Sequence, residues 1–410
     1  MNIFLKMAWR NIWRNKTRTF LTACVVFIAV VLSILMTSEQ YGLYDKMIDN
    51  VIEITGHLQV QNKEYWGNKS INNAVPTDSA LIGKIRKLPE VTGVTSHLES
   101  FALASYREMT KGVMVVGVVP SDEDEFSKLR KKLSQSSDSV RNYLTDADEG
   151  VLLGEKLANY LKVGINDTLV LISQGYHGIS AAGLFPIRGF IKLPSIEMES
   201  SIVYMSLPAA QKFYGAAGWG TSILVKAENR DQIKQLQHQV ESLLSSDNCV
   251  KTWEELQPEI VQMIDSDISS GYIMKGIFYM IIGFIIFSTL VMMMYERRRE
   301  FGIMLAMGLQ KFRLSVIVFF EILMISVMGT FAGLGIGYLI TWLLNQHPIP
   351  LTGEMAKMME EYGFEPVIFF SKGIDIFYWQ PVVVFGITLF LYIFPLITIR
   401  RLKIVKSIRG

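Results

Sequence analysis

Four apolar runs, unevenly spaced along 410 residues, constrain this chain more than any other feature. They are Phe20–Met36, Gly276–Tyr295, Leu314–Leu344 and Pro381–Ile399. A membrane-crossing helix needs about 20 apolar residues, and each run reaches or approaches that length. The first is near the lower limit; the third is long enough to tilt, or to break near Gly329. Between the first two lie 234 mostly polar residues, 38–271, and between the last two lies a loop, 345–379. The fold expected is a membrane protein: four transmembrane α-helices with a large α/β extracytoplasmic domain inserted between helices 1 and 2. Charged residues make up 19% of the chain, below the roughly one quarter usual in soluble proteins. With 40 basic and 38 acidic residues, the chain is still too charged to be spans alone.

Charge placement predicts the orientation. Residues 1–19, 296–313 and 400–410 together carry 15 basic and 2 acidic residues. Segment 38–271 carries 22 basic and 30 acidic residues, and loop 345–379 carries 2 and 5. Basic loops stay on the cytoplasmic side of a membrane. The predicted order is a cytoplasmic basic arm (1–19), helix 1 (20–37), the outer domain with stalk helices (38–271) and helix 2 (272–295). A cytoplasmic segment (296–313), helix 3 (314–344), a short outer loop (345–379), helix 4 (380–399) and a cytoplasmic tail (400–410) complete it. Residues 1–36 could also be read as a cleavable signal peptide. No small-x-small cleavage site follows the run, so an uncleaved anchor is the expectation. A net charge of +2 gives no support for nucleic-acid binding.

In the outer domain, alternation predicts strands at His57–Gln61, Val91–Tyr106, Val113–Val119, Thr168–Ser173, Ser201–Met205 and Ser222–Lys226, and a short strand then a helix over Val151–Leu161. Helices are expected at Leu81–Leu88, Asp122–Leu144, Pro208–Tyr214 and Asp231–Leu244, with stalks at Gln40–Ile54 and Trp253–Ile268. Cys24 and Cys249 lie in different regions and are expected to be reduced. The five histidines (57, 97, 177, 238 and 347) lack metal-ligand spacing, and no HExxH, CxxC, GxSxG or GxxxxGK[ST] motif occurs. The acidic cluster Asp122–Glu125 reads as a solvated helix start. No metal, no directly bound cofactor and no catalysis by this chain are expected.

The informative stretch is Glu296-Arg297-Arg298-Arg299-Glu300-Phe301-Gly302-Ile303-Met304-Leu305-Ala306-Met307-Gly308. A mixed-charge opening before Ile303, Leu305, Ala306 and Met307 predicts a short amphipathic helix at the membrane face, ended by Gly308. A topogenic turn would need only the arginines. Glu321 lies roughly seven residues into the third run, about 10 Å deep. An ionised carboxylate at a span's centre costs about 2.5–3.5 kcal/mol, so Glu321 needs a partner, with Arg10, Arg14 or Lys311 as candidates. It acts as an anchor or in proton or substrate handling. Gly329, Gly333 and Gly337 share one helix face and permit close packing.

The pattern E-x₃-E-(I/F)-G-x₃-A-x-G resembles the signature of FtsX/MacB-type ABC permeases. Ala8-Trp-Arg-Asn-Ile-Trp-Arg-Asn-Lys-Thr-Arg-Thr19, Glu321 before the Gly329/Gly333/Gly337 series, and the basic tail resemble the same family over the whole chain. Ile54–Val60, Gly150–Ala158, Val163–Leu169 and Ile202–Gln211 are most similar to its lipoprotein-release (LolC/LolE-type) members. The resemblance implies a non-catalytic permease subunit in a bacterial inner membrane. Its coupling helix, with Glu296, Arg297, Arg298, Arg299, Glu300, Gly302, Ala306 and Gly308, would dock on a cytoplasmic ABC ATPase dimer that uses ATP and Mg. A second permease copy or a sister permease, membrane lipid and a periplasmic lipoprotein carrier would be the other partners. The segment Gln174–Pro186, with Tyr176, His177, Leu184 and Phe185 expected to be exposed, is either a carrier-binding hook or an ordinary hairpin tip. Val25, Ile28, Val31, Leu32 and Leu35, with Met280, Phe284 and Phe287, could line a lipid cavity. The alternatives are a MacB-like efflux permease, an FtsX-like regulator of cell-wall hydrolases, or a membrane-anchored scaffold without an ATPase.

Overall fold

The computed structural model describes residues 2–14, 16–134, 143–193, 196–361 and 366–402. The tail beyond residue 402 and the second half of the helix expected over 122–144 therefore fall largely outside the described residues. The chain divides into two units. One comprises Met1–Lys46, Met263–Pro350 and Val367–Gly410; the other comprises Met47–Gln262 and Leu351–Pro366.

The first unit is helical. Its elements are α1 (Asn2–Arg14), α2 (Lys16–Thr55) up to Lys46, α3 (Pro258–Glu296) from Met263, α4 (Arg298–Ala306), α5 (Lys311–Gln346), α6 (Ile374–Leu391) and α7 (Ile393–Arg401). Four stretches are long and apolar enough to cross a membrane: Thr19–Thr55 of α2, α3, α5, and the pair α6–α7. At 1.5 Å per residue, the 40 residues of α2 extend about 60 Å, twice a bilayer's hydrocarbon thickness. The first run is thus only part of a helix that continues through Gln40–Ile54. Similarly, α3 begins at Pro258, after Thr252 and Glu255 form a reciprocal capping box. Helix α5 runs unbroken past Gly329, and α6 begins at Ile374, ahead of the expected 380.

Gly329, Gly333 and Gly337 bring α5 against α2. A Cβ at Gly329 would sit 2.7 Å from the Ala23 carbonyl oxygen, one at Gly333 2.8 Å from Val30 Cβ, and one at Gly337 2.9 Å from Ile34 Cδ1. In lipid, where apolar side chains gain nothing by leaving water, such close backbone approach is what dispersion can reward. Val26, Val30, Ile286, Leu290, Val318 and Val384 fill the bundle core. A polar knot crosses it. Ser33 Oγ donates to Gln380 Oε1 at 2.8 Å, and the Tyr279 hydroxyl bonds to the same oxygen.

The second unit is α/β. Nine strands form its main sheet: β1 (Leu58–Asn62), β2 (Val91–Tyr106), β3 (Met109–Val118), β4 (Val151–Gly154), β5 (Thr168–Gln174), β6 (Ser180–Ile191), β7 (Ile202–Ser206), β8 (Ser222–Ala227) and β9 (Asn248–Thr252). Their order is β9-β1-β8-β2-β3-β7-β4-β6-β5, and β5 pairs back onto β2 with Leu103 opposite Ile172. The sixteen residues of β2 serve two partners along one edge. Its first half pairs with β8, and its second half takes β5 there while pairing β3 on the other edge. The ring β2-β3-β7-β4-β6-β5 is therefore closed, which removes exposed strand edges. Leu98, Val115, Leu153, Leu171, Phe185 and Val203 pack inside it.

A second core lies under β9-β1-β8. Leu58, Val60, Val225 and Val250 meet Ile85 and Leu236 from two flanking helices, together with Val51 and Ile52 from the last turns of α2. Two expectations need correction. Residues 122–132 form only a short helix, Pro120–Phe126, and a 3-10 turn, Leu129–Lys132, with Lys128 in the left-handed region (φ 56°) between them. The segment 180–191, expected in part as a loop, is strand β6, and β9 is a further strand.

Candidate functional site

The site builds from the junction of α3 and α4. Arg297 sits between the two helices with 2% of its surface exposed. Its Nη1 donates to Glu321 Oε2 on α5 at 2.5 Å, its Nε reaches Glu300 Oε2 at 3.4 Å, and its guanidinium lies 4.9 Å from the Phe301 ring. Glu300 in turn accepts from Arg14 Nη2 at 2.7 Å. Four alternating charges, Arg14, Glu300, Arg297 and Glu321, thereby lead from the surface into the bundle and tie α1, α4 and α5 together.

This arrangement corrects two expectations. The partner shown for Glu321 is Arg297, while Arg14 holds Glu300 and Lys311 Nζ donates to the Arg400 carbonyl. Nor is Arg297 presented outward for a partner. A fully buried carboxylate is costly without a cation, and the residue at the helix junction is the one whose fork reaches it.

The rest of α4 has two faces. Phe301, Gly302 and Leu305 are buried, whereas Arg299, Ile303, Ala306 and Met307 are exposed, at the i, i+4, i+7, i+8 spacing of one helical stripe. Ile303 is 44% and Met307 76% exposed. Gly308 adopts φ +96°, which a side chain would strain, and stops the helix. Glu296 is exposed, and Arg298 and Glu300 are half-buried. Sequence reasoning missed Ile303 and Met307 as surface residues, although their four-residue spacing was there to be read.

The residues expected to line a lipid cavity separate. Ile28, Leu32, Met280 and Phe284 are exposed, and Val25 and Leu35 are half-buried. Val31 is buried beside the Val26/Val30/Ile34 stripe that meets α5. Phe287 turns to Phe394, with ring centroids 5.0 Å apart.

In the α/β unit, the segment 174–186 is the tip and return strand of the β5–β6 hairpin. Tyr176 is half-buried and stacks on Trp219, while exposed His177 adopts φ +51° and its N–H donates to Asn72 Oδ1 at 2.7 Å. Strand alternation exposes Leu184 (70%) and buries Phe185 edge-on against Phe213, contrary to the expected exposure. Phe101, Leu103 and Ile172 are also exposed on this outer surface. With Leu184 they make an apolar patch of large side chains on the barrel wall. Leu103 faces Ile172 across one strand pair, and Leu184 lies one diagonal step further. The signal for Phe101 and Leu103 was alternation against buried Leu98, Ala102 and Ala104.

Glu123, read as solvated, is buried and accepts from Ser127 Oγ at 2.5 Å, with His97 Nε2 at 2.8 Å. Burial alone would pull the imidazolium's pKa down. The charge and hydrogen bond of Glu123, helped by Glu99, outweigh it and push His97 up to about 10. Burial raises and the same pairing lowers Glu123, for a net downward shift. Among the described residues, no cluster of three or more His, Cys, Asp or Glu is placed to hold a metal.

Comparison with known proteins gives two family matches. Residues 19–243 match the MacB-like periplasmic core domain, and residues 272–404 match the FtsX-like permease C-terminal region. The lipoprotein-releasing system transmembrane protein LolC of Xylella fastidiosa is 23% identical over 266 residues, covering 63% of this chain and 62% of that protein. The chain thus spans less than two thirds of that relative. The ABC transporter permease YtrF of Bacillus subtilis is 24% identical over 370 residues, covering 82% and 83%. The periplasmic region of MacB from Actinobacillus actinomycetemcomitans aligns with a TM-score of 0.37 at 14% identity, over 52% of this chain and 97% of that one.

Proposed function

The chain belongs to the family with a MacB-like periplasmic core domain, joined to an FtsX-like permease C-terminal region, and from that premise we propose that it is the permease subunit of an ABC transporter. It works by mechanotransmission: a separate cytoplasmic ATPase dimer, using ATP and Mg, moves α4, and the long helices α2 and α3 relay that motion outward. The basic segments face the cytoplasm, and the α/β unit faces the periplasm. Two permeases, identical or sister chains, pair over the ATPase dimer.

One observation carries this reading. Helix α4 is fixed from behind by the Arg297–Glu321 pair and by buried Phe301 and Leu305, yet presents Ile303 and Met307 outward. Exposed apolar side chains on a rigidly held helix suit a partner's groove. Val51 and Ile52, at the end of α2, belong to the core of the α/β unit, which supports α2 as the element that carries the motion. The cargo proposed is lipoprotein, handed from the inner membrane to a periplasmic carrier. Similarity to LolC and the apolar patch at Phe101, Leu103, Ile172 and Leu184 support it.

The test is co-purification of the ATPase that accompanies the wild-type chain. Ile303→Asp with Met307→Asp should abolish its recovery while leaving the permease folded in the membrane; unchanged recovery would sink the proposal. Lipoprotein retained in the inner membrane after depletion supports the cargo. Drug sensitivity or a division defect with normal lipoprotein sorting would replace it by efflux or hydrolase control.

A further inference from the structure

The three consecutive arginines 297–299 serve three different surroundings. Arg297 turns into the bundle, and Arg299 is exposed beside Ile303. Arg298 lines an open cleft of about 370 Å³ between α3 and α7. The walls of this cleft are apolar: Val291 and Met294 from α3, Phe394 and Ile397 from α7. Its second cation is Arg401, at the end of α7.

Neither Arg298 nor Arg401 has an ion pair or hydrogen bond among the described residues. The neighbouring carboxylates are committed elsewhere. Glu300 is held by Arg14 and Arg297, and Glu296 lines a different cavity with Trp13 and Lys16. Among the described residues the cleft therefore holds two positive charges without a counter-charge, over an apolar slot. Val291 precedes Arg298 by roughly seven residues, and Phe394 precedes Arg401 by as many, about 10 Å along a helix. That is the scale separating a phospholipid's phosphate from its upper acyl chain. The arginines also lie where the apolar spans end, at the depth of lipid headgroups.

We propose that this cleft binds an anionic phospholipid, with its phosphate between Arg298 and Arg401 and an acyl chain along Val291, Met294, Phe394 and Ile397. Planar guanidinium forks match a phosphate's oxygens, and two of them favour a headgroup with net negative charge over a zwitterionic one. Arg298 then serves lipid, and ATPase docking falls to Arg299, Ile303 and Met307. The site is independent of that docking, because it needs neither nucleotide nor a second chain.

The test uses the full chain in a non-ionic detergent, titrated with phosphatidylglycerol, with phosphatidylcholine of the same acyl chains, and with inorganic phosphate. Bound species are read by native mass spectrometry. The wild type should retain phosphatidylglycerol, and Arg298→Gln with Arg401→Gln should bind it about thirtyfold more weakly. A control removing equal charge at exposed positions, Arg10→Gln with Arg313→Gln, should bind as the wild type does. Undiminished phosphatidylglycerol binding by the Arg298/Arg401 variant overturns the proposal. So does equal affinity for phosphatidylcholine, or inorganic phosphate bound as tightly as the lipid. If the double variant does not fold, Ile397→Glu, which sets a carboxylate in the slot, should lose the same lipid; retention there overturns the proposal too.

Discussion

Replacing Arg297 by methionine should be among the most damaging single changes outside the α/β core. The guanidinium is 2% and the Glu321 carboxylate 0% exposed, and their atoms approach to 2.5 Å. Methionine keeps much of the side-chain volume and the contact with the Phe301 ring, so the change isolates the charge. Removing one member of a buried pair costs about 3–5 kcal/mol, because the other charge stays out of water. Glu321→Leu should cost less than Arg297→Met, since Arg297 keeps Glu300 at 3.4 Å. The double variant Arg297→Met/Glu321→Leu removes both desolvation penalties and should recover most of the loss. The assay is reversible unfolding of the full chain in mixed micelles, with the four proteins forming a double-mutant cycle. Coupling of at least about 2 kcal/mol is expected for groups in one buried network. Single variants within about 0.5 kcal/mol of the wild type, the range of ordinary surface changes, would refute the pairing. A double variant no better than Arg297→Met would refute it as well.

Other consequences follow from particular contacts. Gly333→Ala places a methyl 2.8 Å from Val30 Cβ and 2.9 Å from the Phe27 carbonyl, so α5 must move off α2. An overpacking loss of about 1–3 kcal/mol in the same unfolding assay is expected, and Gly335→Ala, which meets nothing within 4 Å, should cost far less. His97 is raised in the folded state, so its stabilisation is complete below the unfolded value near 6.5 and lost as pH climbs toward about 10. The depressed Glu123 contributes above its unfolded value near 4.5 and loses that contribution as pH falls below it. The stability gap between wild type and His97→Gln, from urea midpoints, should therefore narrow from pH 6.5 to pH 10. Leu103→Asp with Leu184→Asp should leave the barrel folded and weaken carrier capture by the full chain, whereas Asp at solvent-exposed Lys162 should not.

The sequence exposed the helical unit well, because apolar length is a property of composition within a window. Four long apolar helices and the short helix at 298–306 could be read that way. Direction within a helix could not be read from a run of like residues. Arg297, Arg298 and Arg299 look equivalent until the phase of α4 and the depth of Glu321 separate them. Barrel closure was hidden for a different reason. The sixteen residues of β2 read as one strand, and nothing local reports that β8 and β5 share its edge. Glu123 was misjudged because three acidic neighbours set its context, while its partner His97 lies 26 residues away. Phe185 was misplaced by reading a strand as a loop, where alternation no longer assigns an inside.

The central claim is that the outward stripe of α4 meets an ATPase. A photoreactive residue placed at Ile303 or Met307 in the full chain tests it in the intact membrane, with Phe331, exposed on α5, as control. Positions 303 and 307 should give an adduct with an ABC ATPase, and 331 should not. Absence of an ATPase adduct from both stripe positions, in membranes where the ATPase is present, would contradict the claim.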